Sequence, residues 1–206
     1  RPDIWCSGAN MPVLTTRAVL DSRMADGFTG ARTLVSMDPP DHPEFRRLTQ
    51  TWFMPKNLKT IEDRVRALAR EAVDRMVSLG NFCDFARDIA LFYPLRVIME
   101  ILGMPPQDEP LMIKLTQDIF GTRDADLSSG GMAAQDPVLA QAALQKTMVE
   151  MQAYFTQLTL DRRQHPTADL TSTIANGMIR GEPIGMGDAI GYYIISATAG
   201  HDTTSN

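Results

Sequence analysis

Hydrophobic and polar positions follow helical periods along most of the chain, with proline and glycine as punctuation. Residues 1 to 14 show no clear period. Asp38-Pro39-Pro40-Asp41 reads as a helix start. The residue before a proline is pushed out of the helical region, proline suits the first turn, and Asp41 stands where a capping-box acid would. Pro55 opens the next helix, with Ile61, Val65, Leu68, Ala72, Val73, Met76 and Val77 on one face and Gly80 as its stop. Phe82 to Phe92 predicts a short extended piece and a turn. Pro94 then starts a helix carrying Leu95, Ile98, Met99 and Leu102, ended by Gly103 and Pro105-Pro106.

A helix is predicted from about Gln107 to Phe120, followed by a polar Gly/Ser-rich loop through Pro137. Leu144, Met148, Met151, Phe155 and Leu158 form one stripe of a long helix. A short helix near Leu170 to Met178 and a Gly/Pro loop lead to a last helix, Asp188 to Asn206. Strand signals are scarce, so the fold class is mainly α. The sequence stops inside the last helix without a Gly, Pro or basic final turn, and it begins at Arg1, so a fragment is expected. The 206 residues, with no repeat or low-complexity tract, suit one or two ordinary globular domains.

The last helix breaks local rules together. Ser196-Ala197-Thr198-Ala199-Gly200-His201-Asp202-Thr203-Thr204 places glycine, an acid and hydroxyls in a helix whose lead-in, Ile190 to Ile195, is apolar. Glycine costs about 1 kcal/mol relative to alanine there, and Asp and Thr are mediocre helix formers. Small residues at 197, 199 and 200 leave room beside the backbone for something flat. Such coincident breaks mark function. The alternative is a core helix whose threonines bond back to the carbonyl four residues earlier, with Asp202 at a surface end.

Composition narrows the classes. A net charge of −5 argues against a nucleic-acid partner. The uncharged run Ala189 to His201 is too short to span a membrane, and no signal peptide is visible. Cys6 and Cys83 stand in no metal-like spacing and fit a reducing, cytoplasmic setting. His201-Asp202 would also suit a metal-dependent phosphohydrolase, but that chemistry needs further ligands and offers only His42 and His165 upstream.

Ala199-Gly200-His201-Asp202-Thr203-Thr204 resembles the (Ala/Gly)-Gly-x-(Asp/Glu)-Thr-Thr signature of the long distal helix of cytochromes P450. Asp38-Pro39-Pro40-Asp41-His42-Pro43-Glu44-Phe45-Arg46 is similar to that family's Asp-Pro-Pro-x-His-x-x-x-Arg motif. Trp52-Phe53-Met54-Pro55 resembles its Phe-x-Pro turn, and Tyr93-Pro94-Leu95 through Pro105 its following helix. The likeness spans roughly residues 13 to 206. Leu-Thr-Gln-x-Trp-Phe-Met-Pro and Ala-Gly-His-Asp-Thr-Thr-Ser point to a soluble bacterial branch that includes a terpineol hydroxylase.

The resemblance implies the amino-terminal half of that fold, truncated before the haem-cysteine loop. It implies haem b held through its propionate by His42 and Arg46, and an axial cysteine beyond Asn206, so that no metal ligand lies in this stretch. Cys83 lacks the flanking glycines of that loop and reads as a small buried hydrophobe. Asp202 and Thr203 would deliver protons, Ala199 and Gly200 would form a kinked oxygen groove, and Ile195, Thr198 and Ala199 would face substrate. Segments 24 to 34 and 107 to 120 would close the pocket.

For the whole protein, the resemblance implies a monooxygenase inserting one oxygen atom from O2 into a C–H bond of a small apolar molecule, a terpenoid or aromatic hydrocarbon. Electrons would come from NAD(P)H through a ferredoxin reductase and ferredoxin. Arg47, Lys56 and Lys59 lie on the side where the family receives its electron donor, though a solvated face explains them equally. The fragment alone is expected to be inactive, for want of the thiolate that favours O–O cleavage. A helical ligand-binding or regulatory protein is the alternative of another class.

Overall fold

The computed structural model describes residues 32–120 and 137–205, apart from the side chains of residues 120, 137, 138, 141 and 202. Seven α-helices are described: α1 (Asp41–Gln50), α2 (Pro55–Ser78), α3 (Tyr93–Leu102), α4 (Glu109–Phe120), α5 (Pro137–Gln164), α6 (Leu170–Ala175) and α7 (Met186–Ser205). Short 3-10 turns at Leu34–Ser36 and Pro106–Asp108 precede α1 and α4. A two-stranded antiparallel hairpin, β1 (Met178–Ile179) and β2 (Glu182–Pro183), leads into α7, with Met178 opposite Pro183. The fold is mainly α, as the sequence predicts.

α7 runs through the centre, packed against α3, α4, α5 and α6. The predicted stripe of α5 supplies Met151, Phe155 and Leu158, and α3 supplies Leu95, Met99 and Leu102, all buried. Phe155 packs on Tyr193 of α7 with ring centroids 5.3 Å apart. Each such side chain contributes about 1.5–3 kcal/mol by leaving water. Among the described residues no helix is long and apolar enough to cross a membrane.

One polar knot joins three helix ends. Gly103, just past α3, has φ +64°, and its carbonyl accepts from Arg162 Nη2 at 2.6 Å. Arg162 Nε donates to Asp169 Oδ2 at 2.7 Å, while Asp169 Oδ1 caps α6 by accepting from the Ser172 amide at 2.6 Å. A Cβ on Gly103 would stand 2.0 Å from Asp169 Oδ2. Glycine is therefore required twice, by conformation and by space.

Four expectations change. α1 starts at Asp41 rather than at the prolines: the Asp38 carbonyl accepts the amides of both Asp41 and His42 at 3.0 Å, and the Asp41 carboxylate is drawn away from capping by Arg32 and Arg180. Val73 and Val77 are 51% and 71% exposed, because the carboxyl-terminal half of α2 packs mainly against α3 and the turn before it. Residues Ala86–Ala90 wind into a π-helical turn instead of extending. Beyond Ala175 the predicted helix yields to Met178–Ile179, since Arg180 (φ 54°) and Gly181 (φ +83°) make a tight left-handed turn that pairs the chain with itself.

Candidate functional site

α7 has two unlike faces. Ile190, Tyr193, Ile194, Ala197 and His201 are buried. On the opposite side Ile195, Ala199 and Thr203 recur every four residues and therefore line one stripe. Ile195 is half-buried, while Ala199 and Thr203 are exposed. Thr198 is buried on the flank, its hydroxyl donating to the Ile194 carbonyl at 2.7 Å. The three residues expected to face substrate thus occupy three different degrees of exposure.

The Thr203 hydroxyl donates to the Ala199 carbonyl. Ser196 and Ser205 bond back in the same way, to Tyr192 and His201. The back-bonding that the sequence offered as a packing alternative is present. It does not exhaust Thr203: a hydroxyl that donates one proton keeps lone pairs to accept another. The backbone of Asp202 lies within α7 beside Thr203, and its side chain is outside the described residues.

Gly200 has a packing role that the sequence reading lacked. A Cβ there would come within 2.2 Å of Ile98 Cδ1, so the missing side chain lets α3 close on α7. Of the small pair, Gly200 serves helix contact and Ala199 keeps the exposed stripe low.

His201, the variable position of the motif, is 3% exposed. Its Nε2 lies 2.8 Å from the Leu91 carbonyl and its Nδ1 2.9 Å from the Thr116 hydroxyl. Both ring nitrogens are engaged within the protein, which removes it as a metal ligand. Cys83 is a half-buried free thiol, more exposed than expected, and Cys6 lies outside the described residues. Of the segments assigned to pocket closure, residues 24 to 31 also lie outside them.

α1 contributes His42, half-buried, and Arg46, exposed, one turn apart. Among the described residues neither enters an ion pair, whereas Asp41 holds Arg32 and Arg180, and Glu44 lies 4.0 Å from Arg47. A guanidinium and an imidazole left without a carboxylate suit an anionic edge, since the guanidinium forks onto one and the imidazole donates beside it.

The two motifs meet through Tyr192. Two turns before Ala199, and so on the same side of α7, its hydroxyl donates to the Phe45 carbonyl at 3.0 Å and stands 2.7 Å from the Thr49 hydroxyl. Burial raises the Tyr192 pKa, against the lowering effects of Thr49 and the nearby Arg46 charge. α1, with His42 and Arg46, is thereby fixed relative to the stripe of α7. Sequence reasoning missed Tyr192 and Thr49, and the one available signal was the two-turn spacing from Ala199.

These residues suit a haem edge: donors on α1 that hold no carboxylate among the described residues, and an alanine that leaves space beside a hydroxyl on α7. No family model matches the chain. It is 41% identical to cytochrome P450-terp of Pseudomonas sp over 174 residues, 84% of this chain and 41% of that protein. It is 27% identical to linalool 8-monooxygenase of Pseudomonas putida over 172 residues, 84% of this chain and 40% of that protein. The crystal structure of CYP108D1 from Novosphingobium aromaticivorans superposes with TM-score 0.80 at 41% identity, covering 97% of this chain and 45% of that one. The chain spans about two fifths of the length of the curated relatives it matches.

Proposed function

We infer the function from the chain's membership of the cytochrome P450 superfamily: the whole protein is a haem-thiolate monooxygenase that inserts one oxygen atom from O2 into a C–H bond. The observation that supports this best in the chain itself is the tie between its two motif helices, Tyr192 holding α1, with His42 and Arg46, against the Ala199–Thr203 stripe of α7.

In this reading His42 and Arg46 would hold a haem propionate, and the haem would supply oxygen activation when bound. Ala199 keeps the space next to Thr203 open, and the backbone at Gly200 borders that space. The Thr203 hydroxyl, parked on the Ala199 carbonyl, accepts a proton from behind and passes its own forward. Asp202, its neighbour in sequence, replenishes it. Ile195, Thr198 and Ala199 bound the substrate, whose class is a small apolar molecule. Linalool, the substrate in one relative's name, makes a monoterpenoid the first choice. Two electrons arrive from NAD(P)H through a ferredoxin reductase and ferredoxin in the cytoplasm, docking beside α1 and the start of α2.

Thr203→Ala in the whole protein, with linalool as the probe, tests the role of the hydroxyl. Product per NADH falls severalfold while NADH oxidation continues and hydrogen peroxide rises. Unchanged coupling in this variant would remove Thr203 from proton delivery.

A further inference from the structure

We propose that His201 is a positioning residue, which fixes the helical segment carrying Thr203 by bonding it to α4 and to the turn before α3. This rests on the reading of Thr203 given above and deepens it.

The geometry is specific. His201 is the only histidine among the described residues that is buried, and it leaves α7 on the side away from the Ala199–Thr203 stripe. The Leu91 carbonyl has no hydrogen to give, so Nε2 donates to it at 2.8 Å. Nδ1 lies 2.9 Å from the Thr116 hydroxyl. That hydroxyl is also anchored on its own helix, at the carbonyls of Met112 at 2.9 Å and Ile113 at 3.1 Å, so the imidazole contact ties α7 to a side chain already held on α4. A buried ring bonded at both ends resists rotation of its helix, since any turn leaves two buried polar groups unsatisfied.

The location gives this restraint its consequence. α7 is weak here: Gly200 adds backbone freedom, and Thr198, Thr203 and Ser205 all bond back onto carbonyls. His201 lies two residues before Thr203, so it sets the direction in which that hydroxyl leaves the helix. Its partner helix α4 falls within segment 107 to 120, assigned above to closure of the pocket. A displacement of α4 would therefore reach the Thr203 segment through this hydrogen bond as well as through the packing of α4 on α7.

Amide hydrogen exchange on the whole, haem-loaded protein tests this without reference to turnover. His201→Phe keeps a buried ring and removes both bonds; exchange of the amides at 199–205 rises about tenfold, with the interior of α5 unchanged. His201→Gln retains a donor near the Nε2 position and restores most of the protection. Thr116→Val removes one bond, gives a smaller increase, and adds nothing when combined with His201→Phe. An unchanged rate at 199–205 in His201→Phe overturns the proposal, as does a uniform increase across every helix, which is the mark of a merely structural loss. If His201→Phe fails to fold, Thr116→Val decides alone: a local increase at 199–205 supports the restraint, and none overturns it. Thr203→Ala keeps both His201 bonds and does not reproduce the rise at 199–205, so a failure of Thr203 in electron coupling is distinguishable from a failure of His201 in positioning.

Discussion

The Tyr192 hydroxyl stands 2.7 Å from the Thr49 hydroxyl and donates at 3.0 Å to the carbonyl of Phe45, one helical turn earlier. Tyr192 has one proton, and giving it to Phe45 leaves Thr49 as the donor to the tyrosine oxygen. Three groups on two helices are thus satisfied inside a site where tyrosine is only 4% exposed.

Tyr192→Phe should lower unfolding free energy by about 1–2 kcal/mol, since each buried bond nets about 1 kcal/mol. Denaturant unfolding of the whole protein measures it. Thr49→Val should cost less, and the two changes together should cost less than their sum, because they remove the same contact.

Arg46→Ala should speed haem loss from the whole protein by about tenfold or more, the value of one charge-assisted bond. Transfer of haem to an excess of apomyoglobin measures the rate. Arg46→Lys should fall between, because a point charge replaces a fork. Glu44→Gln, next to the site but bonded elsewhere, should leave the rate unchanged.

Gly103→Ala should destabilise by about 1–3 kcal/mol, combining a left-handed backbone with a methyl driven into Asp169. Gly80→Ala has the conformational cost alone, with nothing within 4 Å, and should be milder. A pair of thermal or denaturant curves separates the two contributions.

These positions show what sequence made legible. Helix existence was readable because apolar residues recur at helical spacing, and Gly103 was readable as a stop because glycine tolerates a left-handed cap. That Asp169 also needs the empty space beside Gly103 depends on a contact across 66 residues, which no local rule reaches. The π-helical turn at 86–90 and the β1–β2 hairpin were lost for a different reason: their stretches are too short to carry a period.

The site divides likewise. His42, Arg46, Ala199 and Thr203 were named from the resemblance of two short motifs to the cytochrome P450 family, and each motif lies within one helix. Tyr192 and His201 act between helices, so neither spacing nor composition marked them. Gly200 was read as space for a ligand, and its contact with Ile98 could come only from the packing of α3 on α7.

The proposed function requires a thiolate-ligated haem, held by α1, in the whole protein. Reduction of the purified full-length protein under carbon monoxide tests it most directly. The expected result is the strongly red-shifted Soret band that thiolate ligation gives, retained in Thr203→Ala and reduced in amplitude in Arg46→Ala through haem loss. A carbon monoxide band at the position given by histidine-ligated haem, or no haem at all in the full-length protein, would contradict it.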